Sequence, residues 1–163
     1  MTKEQEELIG KWIEDSHFLL KCHLSLAETT RRQHRNIGIL SAVLSAIVGS
    51  SIFASLGQEE SSKNLILATG LVSLFATILT SVLAFLKLPE MANQYHNSGN
   101  EYAAIRKELE FLLEFDNEDP EHVKNEVNRL RTKWDEIRKN AIPISDKTIK
   151  KISKKIGDKI VLR

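Results

Sequence analysis

The chain has a single cysteine, Cys22, so no internal disulfide and no thiolate metal cluster can form, and a reducing cytoplasm suits the segment that carries it. Cys22 is read as a buried helix residue. Net charge is also nearly absent, at +1. No overall field would gather nucleic acid, and no direct nucleic-acid partner is expected. Catalytic signatures are missing as well: there is no glycine-rich phosphate loop, no GxSxG, no HExxH, and no pair of acids in an apolar setting. The expectation is a protein that is not an enzyme and needs no cofactor. His17, His23, His34, His96 and His122 do not form the ligand clusters of zinc or di-iron sites, so no metal is expected. Glu108, Glu110, Glu114 and the acids from Asp116 to Asp119 are read as solvated helix faces and a loop. The opening, Met1 to Glu7, has no apolar core after a basic start, so no cleavable secretory signal is expected.

What the chain does have is segregation. Hydrophobic residues make up 42% and charged residues 28% of the 163 residues, values that on average suit a soluble helical protein. The apolar residues are, however, pooled into two central runs. Ile37 to Leu56 and Leu65 to Leu86 contain no ionisable side chain. At about 1.5 Å per residue the first is about 30 Å long, the thickness of a bilayer's hydrocarbon core, and the second is slightly longer. The competing reading is a pair of buried helices in a soluble bundle. Such helices usually carry polar residues on one face, and a chain this short has little left to cover them. Residues 57–64 form a polar link of hairpin length. Lys21, Arg31, Arg32 and Arg35 precede the first span, and Lys87, Arg106 and Lys107 follow the second. The positive-inside rule therefore puts both termini in the cytoplasm, with the hairpin in the inner membrane.

Within the first span, Gly38, Ala42, Ala46 and Ser45, Gly49 recur at spacings of four, which lets a second helix approach closely. In the second, Thr69, Ser73, Thr77, Thr80 and Ala84 make a stripe of small and hydroxyl side chains. Two readings stand. The hydroxyls bond their own backbone or cement a helix contact, or Thr69, Ser73, Thr77 and Thr80 line a pore, which would take several copies of the hairpin.

The flanking segments are helical in pattern. Thr2 and Gln5 suggest a capping box, and Leu8, Ile9, Trp12, Ile13, Leu19, Leu20, Leu24 and Ala27 keep to one side of a helix over 2–36. No proline follows before the first span, so this helix is expected to run into it unbroken. After the second span, Leu88, Tyr95, Tyr102 and Leu109 recur every seven residues, with Ala92, Gly99 and Leu113 near the same seam, predicting a helix over 88–115 that Pro89 starts or kinks. Asp119-Pro120-Glu121 is a helix start. Val123, Val127, Leu130, Trp134, Ile137 and Ala141 then follow in steps of four and three, stopped by Pro143, which predicts a helix over 120–141. Ser145 or Asp146 would cap a last segment, 145–163, with Ile149, Ile152 and Ile156 on one side and Lys150, Lys151, Lys154 and Lys155 among its cations. That segment reads as a solvated helix docked by its isoleucines, a surface for anionic lipid, or a holder of an anionic ligand.

The long N-terminal helix, the membrane hairpin and the stretch from Leu88 to Tyr102, with its Pro-x-x-Ala-x-x-Tyr-His-x-x-Gly-x-x-Tyr pattern, together resemble the SLATT superfamily. The resemblance covers nearly the whole chain. It implies a two-span membrane effector of a prokaryotic antiviral or conflict system, associated with nucleotide second-messenger synthases, nucleotide-sensing domains or reverse transcriptases, that permeabilises the inner membrane. No sensor domain is recognisable in the chain, so a separate sensor or synthase protein, or a nucleotide second messenger, would supply the trigger. The fold expected is all-α: a two-helix transmembrane hairpin with long amphipathic cytoplasmic helices on both sides, forming an oligomeric bundle in which Pro89, Ala92, Tyr95, Gly99, Tyr102, Leu109, Val123, Val127, Leu130, Trp134 and Ile137 govern assembly and gating. The partners expected are membrane lipids and further copies of the chain. A rival from another class is a passive two-span anchor whose cytoplasmic helices recruit a partner.

Overall fold

Five helices and no strand make up the described residues, 3–55, 63–115 and 120–161, of a computed structural model: α1 (Lys3–Ser55), α2 (Lys63–Leu86), α3 (Leu88–Phe115), α4 (Pro120–Asn140) and α5 (Asp146–Val161). The protein is all-α. The Thr2 and Asp119 caps and the link at 57–62 fall outside these residues. α1 is one helix of 53 residues, because no proline or cap interrupts the passage from its charged first part into its apolar second part. α2 and α3 are separated by a single residue. Lys87 sits at φ 44, the left-handed region that ends helices, and its carbonyl accepts the Met91 N–H at 3.1 Å to start α3. Pro89 lies in that first turn, where its missing N–H costs nothing. Ser145 caps α5: its carbonyl accepts the Ile149 N–H at 3.1 Å, and its hydroxyl lies 3.0 Å from that of Thr148.

The chain divides into two compact units, Met1–Glu28 with Ala92–Arg163, and Thr29–Met91. The first has a core drawn from α1, α3 and α4. Ile9, Tyr102, Ile105, Leu109, Leu112, Leu130 and Ile137 are buried together, with Trp12, Ile13, Leu19, Leu20, Leu113, Val127 and Trp134 packed against them. Ring contacts fix the directions. His23 lies 5.5 Å from Tyr102 and 6.0 Å from Tyr95, while Arg106 reaches His17, so α1 and α3 are antiparallel. Tyr102 packs edge-on to Trp134 at 5.6 Å and Trp12 stacks on the same indole at 6.3 Å, so α4 returns alongside α1.

Along α1 the inward positions of this unit are Ile9, Ile13, Ser16, Leu20, His23 and Ala27, in steps of four and three. Two of them are polar. Ser16 satisfies its hydroxyl on the Trp12 carbonyl at 2.7 Å, whereas the His23 Nδ1 is buried without a partner. Leu8 and Leu24, expected on the packed side, are instead exposed.

In the second unit the less exposed side chains again follow steps of four and three: Thr30, His34, Ile37, Ser41, Leu44, Val48 and Ser51 on α1, and Thr69, Val72, Ala76, Leu79 and Leu83 on α2. These ridges face one another in an antiparallel pair, with Ser41 beside Thr80. Its outside is the reverse of a water-soluble protein's: Ile39, Val43, Ile47, Leu67, Leu71, Phe75, Ile78 and Phe85 are all exposed, Phe85 to 85%. The apolar stretch of α2, with a mean hydropathy of 2.2, is only 6% buried. A core helix of a soluble bundle would be mostly covered, so this surface calls for lipid. α2 is the one stretch long and apolar enough to cross a membrane that the described side chains display; those of α1 past Ser51 lie outside them.

Candidate functional site

The middle of the hairpin is where polar groups gather. Thr80 donates its hydroxyl hydrogen to the Ala76 carbonyl at 3.0 Å, and its oxygen lies 2.8 Å from the Ser41 oxygen. A hydroxyl has one hydrogen, so Ser41 is the donor across the helix pair. Thr77 donates to the Ser73 carbonyl at 2.9 Å and Ser81 to the Thr77 carbonyl at 2.9 Å. Four-residue spacing brings each hydroxyl over the carbonyl one turn back, which keeps these groups satisfied without water.

Beside this cross-helix bond lies a cavity of ≈ 320 Å³ lined by Ser45, Val48, Ser73, Ala76, Thr77, Thr80 and Ser81. Of the four residues expected to line a pore, the structure brings Ser73, Thr77 and Thr80 to this cavity and places Thr69 on the ridge against α1. Ser45, expected as a packing residue, is in the cavity wall. Ser41 and Ser81 were not singled out from the sequence. Their signal was the spacing of four that joins Ser41 to Ser45 and Thr77 to Ser81.

The small residues of α1 occupy the same edge. Within the chain α2 packs on the adjacent ridge, and a Cβ added at Gly38 or Gly49 meets nothing within 4 Å. Ala42 and Ala46 are exposed. One edge of the hairpin is thus narrow and bears hydroxyls, while much of the rest exposes leucine, isoleucine, valine and phenylalanine.

The residues expected to govern assembly and gating are mostly spent inside the first unit. Ala92, Tyr95, Gly99, Tyr102, Leu109, Val123, Leu130 and Ile137 are buried, Val127 and Trp134 are half-buried, and Pro89, in the second unit, is exposed. The heptad spacing of α3 and α4 is accounted for by the intrachain core. α3 and α4 are further tied by Glu108, which accepts from Arg129 at 3.0 Å and from Lys133, while Arg129 also pairs with Glu126 at 2.7 Å. Burial alone would raise the Glu108 pKa, but the hydrogen bonds from Lys133 and Arg129 outweigh it and hold the carboxyl below its ordinary range. The Arg106 Nη1 donates to His17 Nδ1 at 2.7 Å, which requires a neutral ring protonated on Nε2. Burial, then the charges of Lys21 and Arg106, push the His17 pKa down against the pull of Glu110. Burial does the same to His23. On α5, Lys150, Lys151, Lys154 and Lys155 are exposed and Ile152 is buried, so the lysines face solvent while an isoleucine docks the helix.

No curated protein and no solved structure matches the chain. The family model described as SMODS and SLOG-associating 2TM effector domain family 4 matches residues 7–157. That description names two transmembrane helices, and α2 is one stretch of the described residues long and apolar enough to be such a helix. With the match running from the first turns of α1 to near the end of α5, the chain is a membrane protein that belongs to the SMODS and SLOG-associating 2TM effector domain family 4, within the SLATT superfamily.

Proposed function

We propose that the protein is a membrane-permeabilising effector of a bacterial antiviral system, in which several hairpins assemble in the inner membrane with both termini in the cytoplasm. Their hydroxyl-bearing edges turn toward one another and line a conducting path. The observation that carries this reading is the cavity at Ser45, Ser73, Thr77, Thr80 and Ser81, polar groups on the surface of a hairpin otherwise sheathed in apolar side chains. Hydroxyls facing lipid gain little, whereas around a shared axis they would wet a path. Gly38, Ala42 and Gly49, open on the same edge, would let neighbouring hairpins approach. Since the heptads of α3 and α4 are occupied within the chain, assembly rests on the hairpins, and the cytoplasmic unit serves to receive the signal. The family's description, an effector associating with SMODS and SLOG, favours a separate partner protein or its nucleotide product as that signal.

Expression of the chain in cells carrying a membrane-potential dye tests this. Depolarisation is expected, and it should be reduced when Ser73, Thr77 and Thr80 are replaced by Ala or Val. A second reading, a passive anchor that recruits a partner, is favoured by the backbone hydrogen bonds that already satisfy Thr77, Thr80 and Ser81. It expects no depolarisation and unchanged function in the substituted chain.

A further inference from the structure

We infer that the hydroxyl cavity of the hairpin presents fixed hydrogen-bond acceptors and no fixed donors, so that the path it lines, on the conducting reading above, carries monovalent cations in preference to anions. Each of Thr77, Thr80 and Ser81 has committed its one hydrogen to a carbonyl a turn back, at 2.9, 3.0 and 2.9 Å. What each can still offer is oxygen lone pairs. Thr80 also takes the hydrogen of Ser41, which removes that donor too. The backbone N–H groups of this part of α2 are engaged in the helix itself, an uninterrupted run from Lys63 to Leu86. An anion entering the cavity therefore finds no hydrogen held ready for it.

Two hydroxyls remain adjustable. Ser45 and Ser73 line the cavity, and neither hydroxyl has a hydrogen-bond partner among the described residues. Their hydrogens can swing away from a cation and point their oxygens at it, joining the three fixed acceptors. Turned the other way they would give an anion two donors set among three oxygens that repel it. The lining is electronegative in one case and divided in the other. Oxygen dipoles of this sort replace part of the hydration shell of a weakly hydrated ion. Among the described residues no carboxylate lies in the cavity wall, and a small divalent ion such as Mg²⁺, which gives up its water reluctantly and is held by carboxylates, gains too little to enter.

The purified full chain, reconstituted into planar bilayers with unequal KCl on the two sides, tests the inference. A reversal potential displaced toward the K⁺ equilibrium value is expected, with MgCl₂ in place of KCl giving much smaller currents. Thr77→Val together with Ser81→Ala removes two fixed acceptors at nearly constant volume and should move the reversal potential toward zero, whereas Thr77→Ser should keep the wild-type value. Currents reversing at zero or toward the Cl⁻ value in the wild-type chain would overturn the inference and leave the conducting reading standing. Bilayers silent at every applied voltage, from a chain that causes no depolarisation in expressing cells either, would overturn both.

Discussion

At Gly99 α1 approaches α3 closely, and its replacement gives a sharp test of the cytoplasmic unit. A Cβ there would stand 3.1 Å from Leu24 Cδ2, 3.2 Å from Leu24 Cγ and 3.5 Å from His23 Cβ. Ordinary carbon contacts lie at about 3.5–4.0 Å. At Gly10, in the same unit, an added Cβ meets nothing within 4 Å. Alanine is favoured over glycine inside a helix by about 1 kcal/mol. Gly10→Ala should therefore stabilise the unit by up to about that amount, with no opposing term. At Gly99 the same gain meets an overlap of several tenths of an ångström. Leu24 Cδ2 can rotate aside, since Leu24 is 36% exposed, but its Cγ is held close to the backbone. The net effect of Gly99→Ala should be near zero or slightly unfavourable. Gly99→Leu overpacks the contact and should cost about 1–3 kcal/mol. Leu24→Ala deletes both obstructing atoms, so in that background Gly99→Ala should recover the helix gain, a coupling of about 1 kcal/mol between the two sites. The assay is built into the chain: its two tryptophans, Trp12 and Trp134, stack in this unit. Their fluorescence during denaturant titration of the full chain in micelles reports this unit. A Gly99→Leu chain with the wild-type midpoint, or no coupling to Leu24→Ala, would refute the close approach.

Ile105, fully buried, should cost about 2–5 kcal/mol on truncation to Ala, while Phe111→Ala at 65% exposure should stay within about 0.5 kcal/mol, by the same fluorescence titration. In the hairpin, a double-mutant cycle of Ser41→Ala and Thr80→Val, measured by helix-pair unfolding in bicelles, should give a coupling near the ~0.6 kcal/mol typical of hydrogen bonds between membrane helices. Zero coupling would remove the cross-helix bond. His17 and His23 have folded pKa values below their ordinary 6.5, so unfolding takes up protons. Their contribution is complete above pH 6.5 and is lost as the pH falls from there toward the lowered folded values. Denaturant midpoints compared at about pH 7.5 and about pH 5.5 should drop at the lower value, and less in His17→Gln, which no longer loses the Arg106 hydrogen bond. An equal drop in both chains would count against that bond as the cause.

Charge, hydropathy and periodicity along the chain were enough to determine the helical class and to mark the two apolar segments. The reason is that helix periodicity, capping residues and the cost of putting a charge in lipid are local properties, set by neighbours in sequence. The pattern from Pro89 to Tyr102 even marked the face of α3 on which Tyr95, Gly99 and Tyr102 are buried. Other features were decided by tertiary structure alone. A heptad records that a helix has a partner without naming it, and only the fold gathers Leu130 and Ile137 into one core with Tyr102 and Ile105 of the same chain. The polar residues Ser16 and His23 lie on the seam of α1 because ring contacts with Tyr95 and Tyr102, and a backbone carbonyl at Trp12, make their burial tolerable. Likewise a row of hydroxyls in a sequence has no direction. The donor side of Thr77, Thr80 and Ser81 is consumed by carbonyls one turn back, and the rotation of α2 against Ser41 and Ser45 then decides which oxygens face a common space.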